Sequence, residues 1–259
     1  MVKLAAWNVN SIKARLPNVL AWLDEVAPDV LLLQELKCQD ENFPRMELEE
    51  KGYHCLVRGQ KSYNGVAILS REEIQDPLYE LPGDDGNDGQ ARYLEATTFG
   101  LRVASIYLPN GNPLGGEKFT YKLKWMQRLL DHARGLLESE HPVVLGGDYN
   151  VIPEERDCYD VEAWRHDALF QPESRAALRR ILYSGYTDGY RALYPAESRA
   201  FTYWDYQKGA WDNDHGIRID HLLLSPQAAD RLEDCGIDRT PRGREKASDH
   251  TPIWCEVAA

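Results

Sequence analysis

The chain has 259 residues, 43% of them hydrophobic and 28% charged, and a formal net charge of −12. Such a length accommodates one large α/β domain or two small ones around a substantial core, and the acidic balance excludes a protein that coats nucleic acid with its whole surface. No apolar run approaches the ~20 residues of a membrane span, the N-terminus reads as structure and not as a signal peptide, and five scattered cysteines without a CxxC pair indicate neither a disulfide framework nor a zinc site. A cytoplasmic protein is expected. The 42 acids serve solubility or, in part, a site for a hard divalent cation.

Residues 2–8 read as a strand, and Leu16, Val19, Leu20, Leu23 and Val26 have the spacing of a helix over 16–26. The unbroken apolar run at 30–35 predicts a strand covered on both faces and ending at Glu35. A short helix is expected in 44–51, strands near 54–58 and 64–70, and a polar glycine-rich loop over 82–90. Two strands, 91–98 and 101–107, form a hairpin about Gly100. A loop at 109–116 precedes a long helix whose apolar face is Phe119, Leu123, Met126, Leu130, Ala133 and Leu137. The strand Val143–Asn150 follows, then an irregular stretch over 151–172, a helix over 173–184, an aromatic segment at 200–206, a strand at 219–224, a short helix at 226–234 and a last strand at 251–257. No linker divides the chain, so 1–259 reads as one domain. Trp7-Asn8-Val9-Asn10 echoes Asp148-Tyr149-Asn150, which is either a duplicated half-fold or chance.

The polar residues are placed where chemistry would need them. Asn8, Glu35, Asp148 with Asn150, Asp220 and the Asp249-His250 pair stand at the ends of apolar strands. Each alone could be a chain emerging into water. Together they suit a site at converging strand ends, where sheet proteins bind ligands. Strand alternation predicts Asp148 and Asn150 on one face, an acid and an amide fit to handle a water or a charged oxygen. Two or more carboxylates with amides and a histidine make an oxygen-rich site for Mg²⁺, with Mn²⁺ as substitute, which would polarise a phosphoryl oxygen and activate water.

Six motifs in order, Trp7-Asn8-Val9-Asn10, Leu33-Gln34-Glu35-Leu36-Lys37, Tyr107-Leu108-Pro109-Asn110-Gly111, Gly146-Gly147-Asp148-Tyr149-Asn150, Arg218-Ile219-Asp220-His221 and Ser248-Asp249-His250, give the whole chain a resemblance to the exonuclease III family of AP endonucleases, within the endonuclease/exonuclease/phosphatase superfamily. The resemblance implies a four-layer α/β sandwich, two mixed sheets packed face to face and flanked by helices. It also implies Mg²⁺-dependent cleavage of DNA phosphodiesters: incision 5′ to abasic sites, removal of 3′ blocking groups, and in some members 3′→5′ exonuclease action. The partner would be double-stranded DNA, the protein a monomer with no membrane contact.

By the same resemblance Glu35 is the principal metal ligand, with Asn8, Asp249, Asp148 and Asn150 around the metal. Asp148 orients or deprotonates the attacking water, Asn150 holds that aspartate and the transition-state oxygens, and His250, oriented by Asp220, contacts the scissile phosphate. Tyr107 reaches the phosphate or leaving group. For DNA binding, Asn110 and Lys122 match phosphate contacts, Tyr63 a groove contact, and Tyr203, Trp204 and Ile217 the apolar wall that receives an extrahelical sugar. Ile217 is smaller than the aromatic that some relatives carry there, a departure from the family's pattern. Lys118, Lys122, Lys124 and Arg128 form either a DNA-facing or a solvated helix face, Arg242, Arg244 and Lys246 could reach backbone phosphates, and the variable segment 157–172, with Trp164, Arg165 and His166, borders the site. Competing readings are a superfamily phosphoesterase with a non-DNA substrate, a 3′-end specialist with little AP endonuclease activity, and a non-catalytic binder, from which the retained acids argue away.

Overall fold

The computed structural model describes residues 1–84 and 88–258. Its strands form two six-stranded mixed sheets. The first runs β11 (Leu232–Ile237), β12 (Ile253–Val257), β1 (Val2–Asn8), β2 (Val30–Gln34), β4 (Val66–Ser70), β3 (His54–Arg58). The second runs β5 (Gln75–Leu78), β6 (Tyr93–Thr98), β7 (Leu101–Tyr107), β8 (Val143–Asp148), β10 (Asp220–Leu224), β9 (Thr187–Asp188). Residues of opposite parity face opposite sides of each strand. Leu4, Ala6, Leu32 and Ile68 of the first sheet therefore meet Leu94, Val103, Val144 and Leu222 of the second. The alternate residues Ala5, Trp7, Leu31 and Leu33 pack outward on α1 (Ile12–Val26). Likewise Ala104, Ile106 and Leu145 pack on α3 (Glu117–Glu138) and α5 (Pro172–Tyr183). This is the expected four-layer sandwich, and the unbroken apolar run of β2 is buried on both faces.

Each sheet contains one parallel pair joined by a helix, β1–α1–β2 and β7–α3–β8. Read from β11 and from β5, the two sheets share one pattern: two antiparallel pairings, the parallel one, then two antiparallel. The half-fold is thus repeated, but with β1 equivalent to β7 and β2 to β8. The echo between Asn8 and Asn150 joined the wrong partners.

Several boundaries differ from expectation. Helix α1 starts earlier than expected, at Ile12, capped by the Ser11 side chain on the Ala14 amide; Ile12 is buried and carries the apolar spacing one turn ahead of Leu16. Strand β2 stops at Gln34, and Glu35 takes a left-handed backbone, φ +53. Strand β8 likewise stops at Asp148, and Asn150 turns to φ +47, so alternation does not carry it past the strand end. The helix expected at 226–234 is only α7 (Pro226–Ala229), since Leu232 already pairs with Val257 in β11. Strand β5 was not anticipated. On α3 the buried face is Lys122, Trp125, Met126, Leu129, Leu130 and Ala133, while Phe119, Leu123 and Leu137 are half-buried. The loop expected over 82–90 includes 85–87, which lie outside the described residues.

Candidate active site

The parallel strands of both sheets deliver their C-terminal ends to one edge of the sandwich. Asn8 ends β1, Glu35 follows β2, Tyr107 ends β7 and Asp148 ends β8. One amide joins the two sheets there: the Asn8 side-chain nitrogen donates to Glu35 Oε1 at 2.8 Å and to Asp148 Oδ2 at 2.9 Å. Its oxygen accepts the Asn10 backbone amide at 3.0 Å. Asn8 is fully buried and presents N–H, not oxygen, to the acids, so it spaces the two carboxylates.

The turn after β8 depends on Gly147. Its φ is +143, and a Cβ there would lie 2.1 Å from the Ile106 carbonyl oxygen. That close approach seats Asp148 against β7. The left-handed turn then folds Asn150 back, so its backbone amide donates to Asp148 Oδ1 at 2.9 Å and its side chain to the Leu108 carbonyl at 2.8 Å. The pair comes together by a turn instead of by strand alternation. Asn110 donates to Asn150 Oδ1 at 3.3 Å.

His250 arrives from the segment before β12. Its Nδ1 donates to Asp220 Oδ2 at 2.8 Å, which leaves Nε2 facing Asp148 Oδ2 at 3.7 Å. Burial by itself would lower the imidazole, but the Asp220 and Asp148 carboxylates outweigh it and push His250 up to about 10, so the ring is cationic at neutral pH. Burial is the largest influence on Asp148 and pushes it up to about 7, against the pull of His250 and the hydrogen bonds from Asn150 and Asn8. An acid poised near neutrality is suited to accept a proton. For Glu35, burial is outweighed by the Asn8 hydrogen bond and the Lys37 and His250 charges, which hold the carboxyl below its usual range. Tyr107 is pushed well above the ordinary phenol range by burial and by the Glu35 and Asp148 charges, so it remains an O–H donor.

A cleft of about 320 Å³ opens at this edge, and Glu35, Tyr107, Asn110, Asp148, Asn150, Asp249 and His250 all line it. A carboxylate oxygen each from Glu35 and Asp148 and a ring nitrogen of His250 lie within 4.8 Å of one another, a set able to hold a metal ion. Asp249 is tied in by Asn10, whose side-chain nitrogen donates to Asp249 Oδ1 at 3.0 Å.

The expected DNA-contacting residues divide. Tyr203 lines the cleft and stacks edge-on against His250, with ring centroids 5.0 Å apart. Tyr63 is 71% exposed. Three others are not on the surface. Lys122 is fully buried on α3, and its ammonium is spent on the Asn110 and Asn150 carbonyls, so it props the turn after β8 and is not presented to a phosphate. Burial pushes it down to about 7. Trp204 is buried in an aromatic cluster with Phe201 and Ala210, its indole N–H on Asp214. Ile217 is buried beneath the cleft, and the apolar wall is formed by Trp164, Leu169 and Ile219. Arg242 is likewise buried, bonded to the Trp204 and Asp205 carbonyls, and Arg244 pairs with Glu25.

The segment 157–172 reaches the site through Trp164, Asp167 and Leu169, while Asp157 at its start is locked in the core by Arg218 and Arg191. Asn112 clamps it, donating to both Asp167 carboxylate oxygens at 3.0 and 3.1 Å. Sequence reasoning missed this clamp and the role of Lys37, whose ammonium lies 3.0 Å from Glu35 Oε2 and also bonds the Asn10 side chain. Lys37 stood two residues from Glu35 in a quoted motif, which was the available signal; the clamp had none.

Comparison with known proteins agrees with this geometry. A model of the Endonuclease/Exonuclease/phosphatase family matches residues 5–250. Exodeoxyribonuclease III of Haemophilus influenzae is 35% identical, covering 98% of this chain and 99% of that protein. Among solved structures, an AP endonuclease from Archaeoglobus fulgidus superposes with a TM-score of 0.95 at 36% identity, and a 3′ phosphatase from Neisseria bound to a product DNA hairpin with 0.96 at 39%, each covering all of both chains. The chain belongs to the endonuclease/exonuclease/phosphatase family, within the branch of exonuclease III and the AP endonucleases.

Proposed function

We propose that the protein is a Mg²⁺-dependent DNA-repair phosphodiesterase that incises duplex DNA 5′ to abasic sites and removes blocking groups from 3′ ends, with 3′→5′ exonuclease action as a further activity. The observation that carries the reading is the gathering of Glu35, Asp148, Asn150 and the Asp220–His250 pair around one cleft in a chain similar over its full length to DNA-cleaving enzymes. The donor set fits a hard cation: the Glu35 and Asp148 carboxylates meet at the cleft with no thiolate beside them. Glu35, with Asp148 and Asp249 beside it, would hold Mg²⁺ or Mn²⁺, which supplies Lewis-acid stabilisation of a phosphoryl oxygen and a more acidic water.

The chain's own groups do the rest. Asp148, held by Asn8 and Asn150, accepts the proton of the attacking water. Cationic His250 donates Nε2–H to a non-bridging phosphate oxygen, while Asp220 fixes the ring. The Asn150 amide holds Asp148 in place, and the Tyr107 phenol is a preorganised donor at the cleft, a kind of contribution that commonly dominates catalysis. Tyr203, Trp164, Leu169 and Ile219 exclude water and offer a slot for a sugar without its base.

Duplex oligonucleotides carrying an abasic analogue, a 3′-phosphate or an intact 3′ end, incubated with Mg²⁺, test the reading. Cleavage on the 5′ side of the abasic site and release of the 3′-phosphate are expected, both abolished by EDTA. No product from any of the three removes the proposal; product that survives EDTA removes the metal. Release of the 3′-phosphate with no abasic incision would leave the 3′-end specialist.

A further inference from the structure

The segment 157–172 carries two of the apolar residues that line the cleft, Trp164 and Leu169. Between the helical turn Val161–Trp164 and α5 it has no helix or strand of its own to hold it there. Asp167 ties the two wall residues together. Its backbone amide donates to the Trp164 carbonyl at 2.9 Å, and its Oδ1 accepts the Leu169 amide at 2.9 Å. Asp167 is held in turn from the opposite rim by Asn112, which donates through Nδ2 to both carboxylate oxygens, while its Oδ1 accepts the Ala168 amide at 3.0 Å. Both ends of one side-chain amide are thus engaged, which confines it to a single orientation, and its donor end meets a charged acceptor, the stronger kind of hydrogen bond. Asn112 is itself fixed to the turn after β8. Asn110 Oδ1 accepts the Asn112 backbone amide at 3.1 Å and its Nδ2 at 2.9 Å, and the Asn110 side chain donates to Asn150. The rims also touch: a Cβ at Gly111, φ +92, would lie 3.2 Å from the Ala168 Cβ and 2.7 Å from the Lys122 Cδ.

We propose that Asn112 is a positioning residue that sets the width of the slot and, through it, the choice among substrates: a sugar without its base is admitted and a complete nucleotide is not. The inference rests on the DNA-cleaving function proposed above and deepens it. In each reaction the water oxygen joins phosphorus, one water proton passes to Asp148, the P–O3′ bond breaks and O3′ is protonated as it leaves. What departs with the phosphate differs. At an abasic site it is a sugar without a base, at an intact 3′ end a whole nucleotide, and at a 3′-phosphate nothing, so that inorganic phosphate is released and the slot stays unused. The three substrates share the bond and the reacting groups and differ in what Trp164 and Leu169 must enclose. Dispersion contacts fall steeply when a gap opens, so a wall that draws back loses its hold on the small occupant and its exclusion of the large one.

The test compares the wild type with Asn112→Asp, which sets a second carboxylate against Asp167, and with the exchange Asn112→Asp/Asp167→Asn, which restores a donor and an acceptor at unchanged total charge. Melting curves first show the proteins folded; Asn112→Ala, which only deletes the amide, serves as the second variant. In the first arm, amide hydrogen exchange over residues 164–170 is followed without DNA. It should be about 10-fold faster in Asn112→Asp and return toward the wild-type rate in the exchange, and equal rates in all three overturn the clamp. In the second arm, kcat and KM are measured with Mg²⁺ on the three duplexes named above. In Asn112→Asp, abasic incision should lose about 10-fold in kcat/KM, mostly through KM, while release of the 3′-phosphate changes by less than about 3-fold. Removal of an intact terminal nucleotide should gain about 10-fold relative to abasic incision, and the exchange should bring both ratios back. An equal fall on the abasic and 3′-phosphate substrates would make Asn112 a support of the turn after β8 and overturn the selectivity, as would ratios that the exchange leaves unrestored. A wild type that cuts none of the duplexes fails the function proposed above; one that cuts, with ratios unmoved in Asn112→Asp, fails this proposal alone.

Discussion

At the scale of single residues, the site works by giving like groups unlike surroundings. Asp148 and Glu35 are both carboxylates bonded to the same Asn8 nitrogen, yet burial pushes Asp148 up to about 7 whereas Lys37 and the Asn8 bond hold Glu35 low. One is suited to take a proton and the other to remain a charged ligand. Asp148→Asn keeps the shape and the contact with Asn150 while removing the proposed base. Turnover should fall by about three orders of magnitude or more with DNA affinity largely kept, read as separate kcat and Kd measurements. Loss of binding in step with turnover would instead make Asp148 a structural residue. A second histidine shows the opposite behaviour. His221 is fully buried, accepts from Arg218 at Nδ1 and donates from Nε2 to the Val151 carbonyl, and burial with the Arg218 charge pushes it down to about 4. Its folded value lies below its ordinary 6.5. Its contribution to stability is therefore whole above pH 6.5 and is lost as pH falls through 4. His221→Leu should flatten that acid-side decline in melting temperature between pH 7 and pH 4; an unaltered acid limb would refute the assignment.

At the scale of elements, the ends of strands matter more than their middles. The apolar runs of β1, β2, β7, β8, β10 and β12 were legible because each buries both faces or alternates cleanly, and polar residues at their ends drew attention to Asn8, Glu35, Asp148, Asp220 and His250. What was not legible lies where the chain leaves the strand. Alternation gives no warning that Glu35 and Asn150 adopt left-handed backbone, and the buried Ile12 that opens α1 stands apart from the run that begins at Leu16, behind Lys13, Ala14 and Arg15. Residue type also misled. A lysine on a long helix reads as solvated, but Lys122 faces inward to two carbonyls. Trp204 and Ile217 read as pocket wall, yet both lie one layer below it, because aromatic and branched side chains serve a core as well as a slot. The turn after β8 can be tested directly. Gly147→Ala puts a methyl into the Ile106 carbonyl at a φ of +143, so β7 and β8 must part. A loss of about 2–4 kcal/mol is expected, seen as a lower urea midpoint at constant slope, together with a fall in kcat because Asp148 moves. Wild-type stability in this variant would mean the turn relaxes freely.

At the scale of the molecule, the sandwich is sealed along most of its interior and polar at one end. Between the sheets, Gln34 donates to Ser105 Oγ at 2.9 Å, and Ser105 donates to the Leu33 carbonyl at 2.8 Å. Beyond them Asn8 joins Glu35 to Asp148. These two polar links differ in what they carry. The Gln34 side-chain oxygen has no partner among the described residues, so the residue costs some of what its amide nitrogen contributes. Gln34→Met keeps the length and removes the unpartnered oxygen, while Ser105 retains Leu33. Stability should change by no more than about 1 kcal/mol, with activity intact. Asn8→Ala takes the shared donor from buried Asp148 and half-buried Glu35 at once. They then repel each other without a spacer, and about 2–3 kcal/mol of stability should be lost, more at pH 8 than at pH 5, where Asp148 is protonated. Turnover should fall with it, and added Mg²⁺ should restore stability more than turnover, since a cation relieves repulsion but does not restore the Asn8 hydrogen bond to Asp148. Denaturation of both variants with and without Mg²⁺ decides the matter. Equal losses at the two positions would mean that the polar end of the sandwich is held by packing, and that Asn8 is a core residue like Gln34.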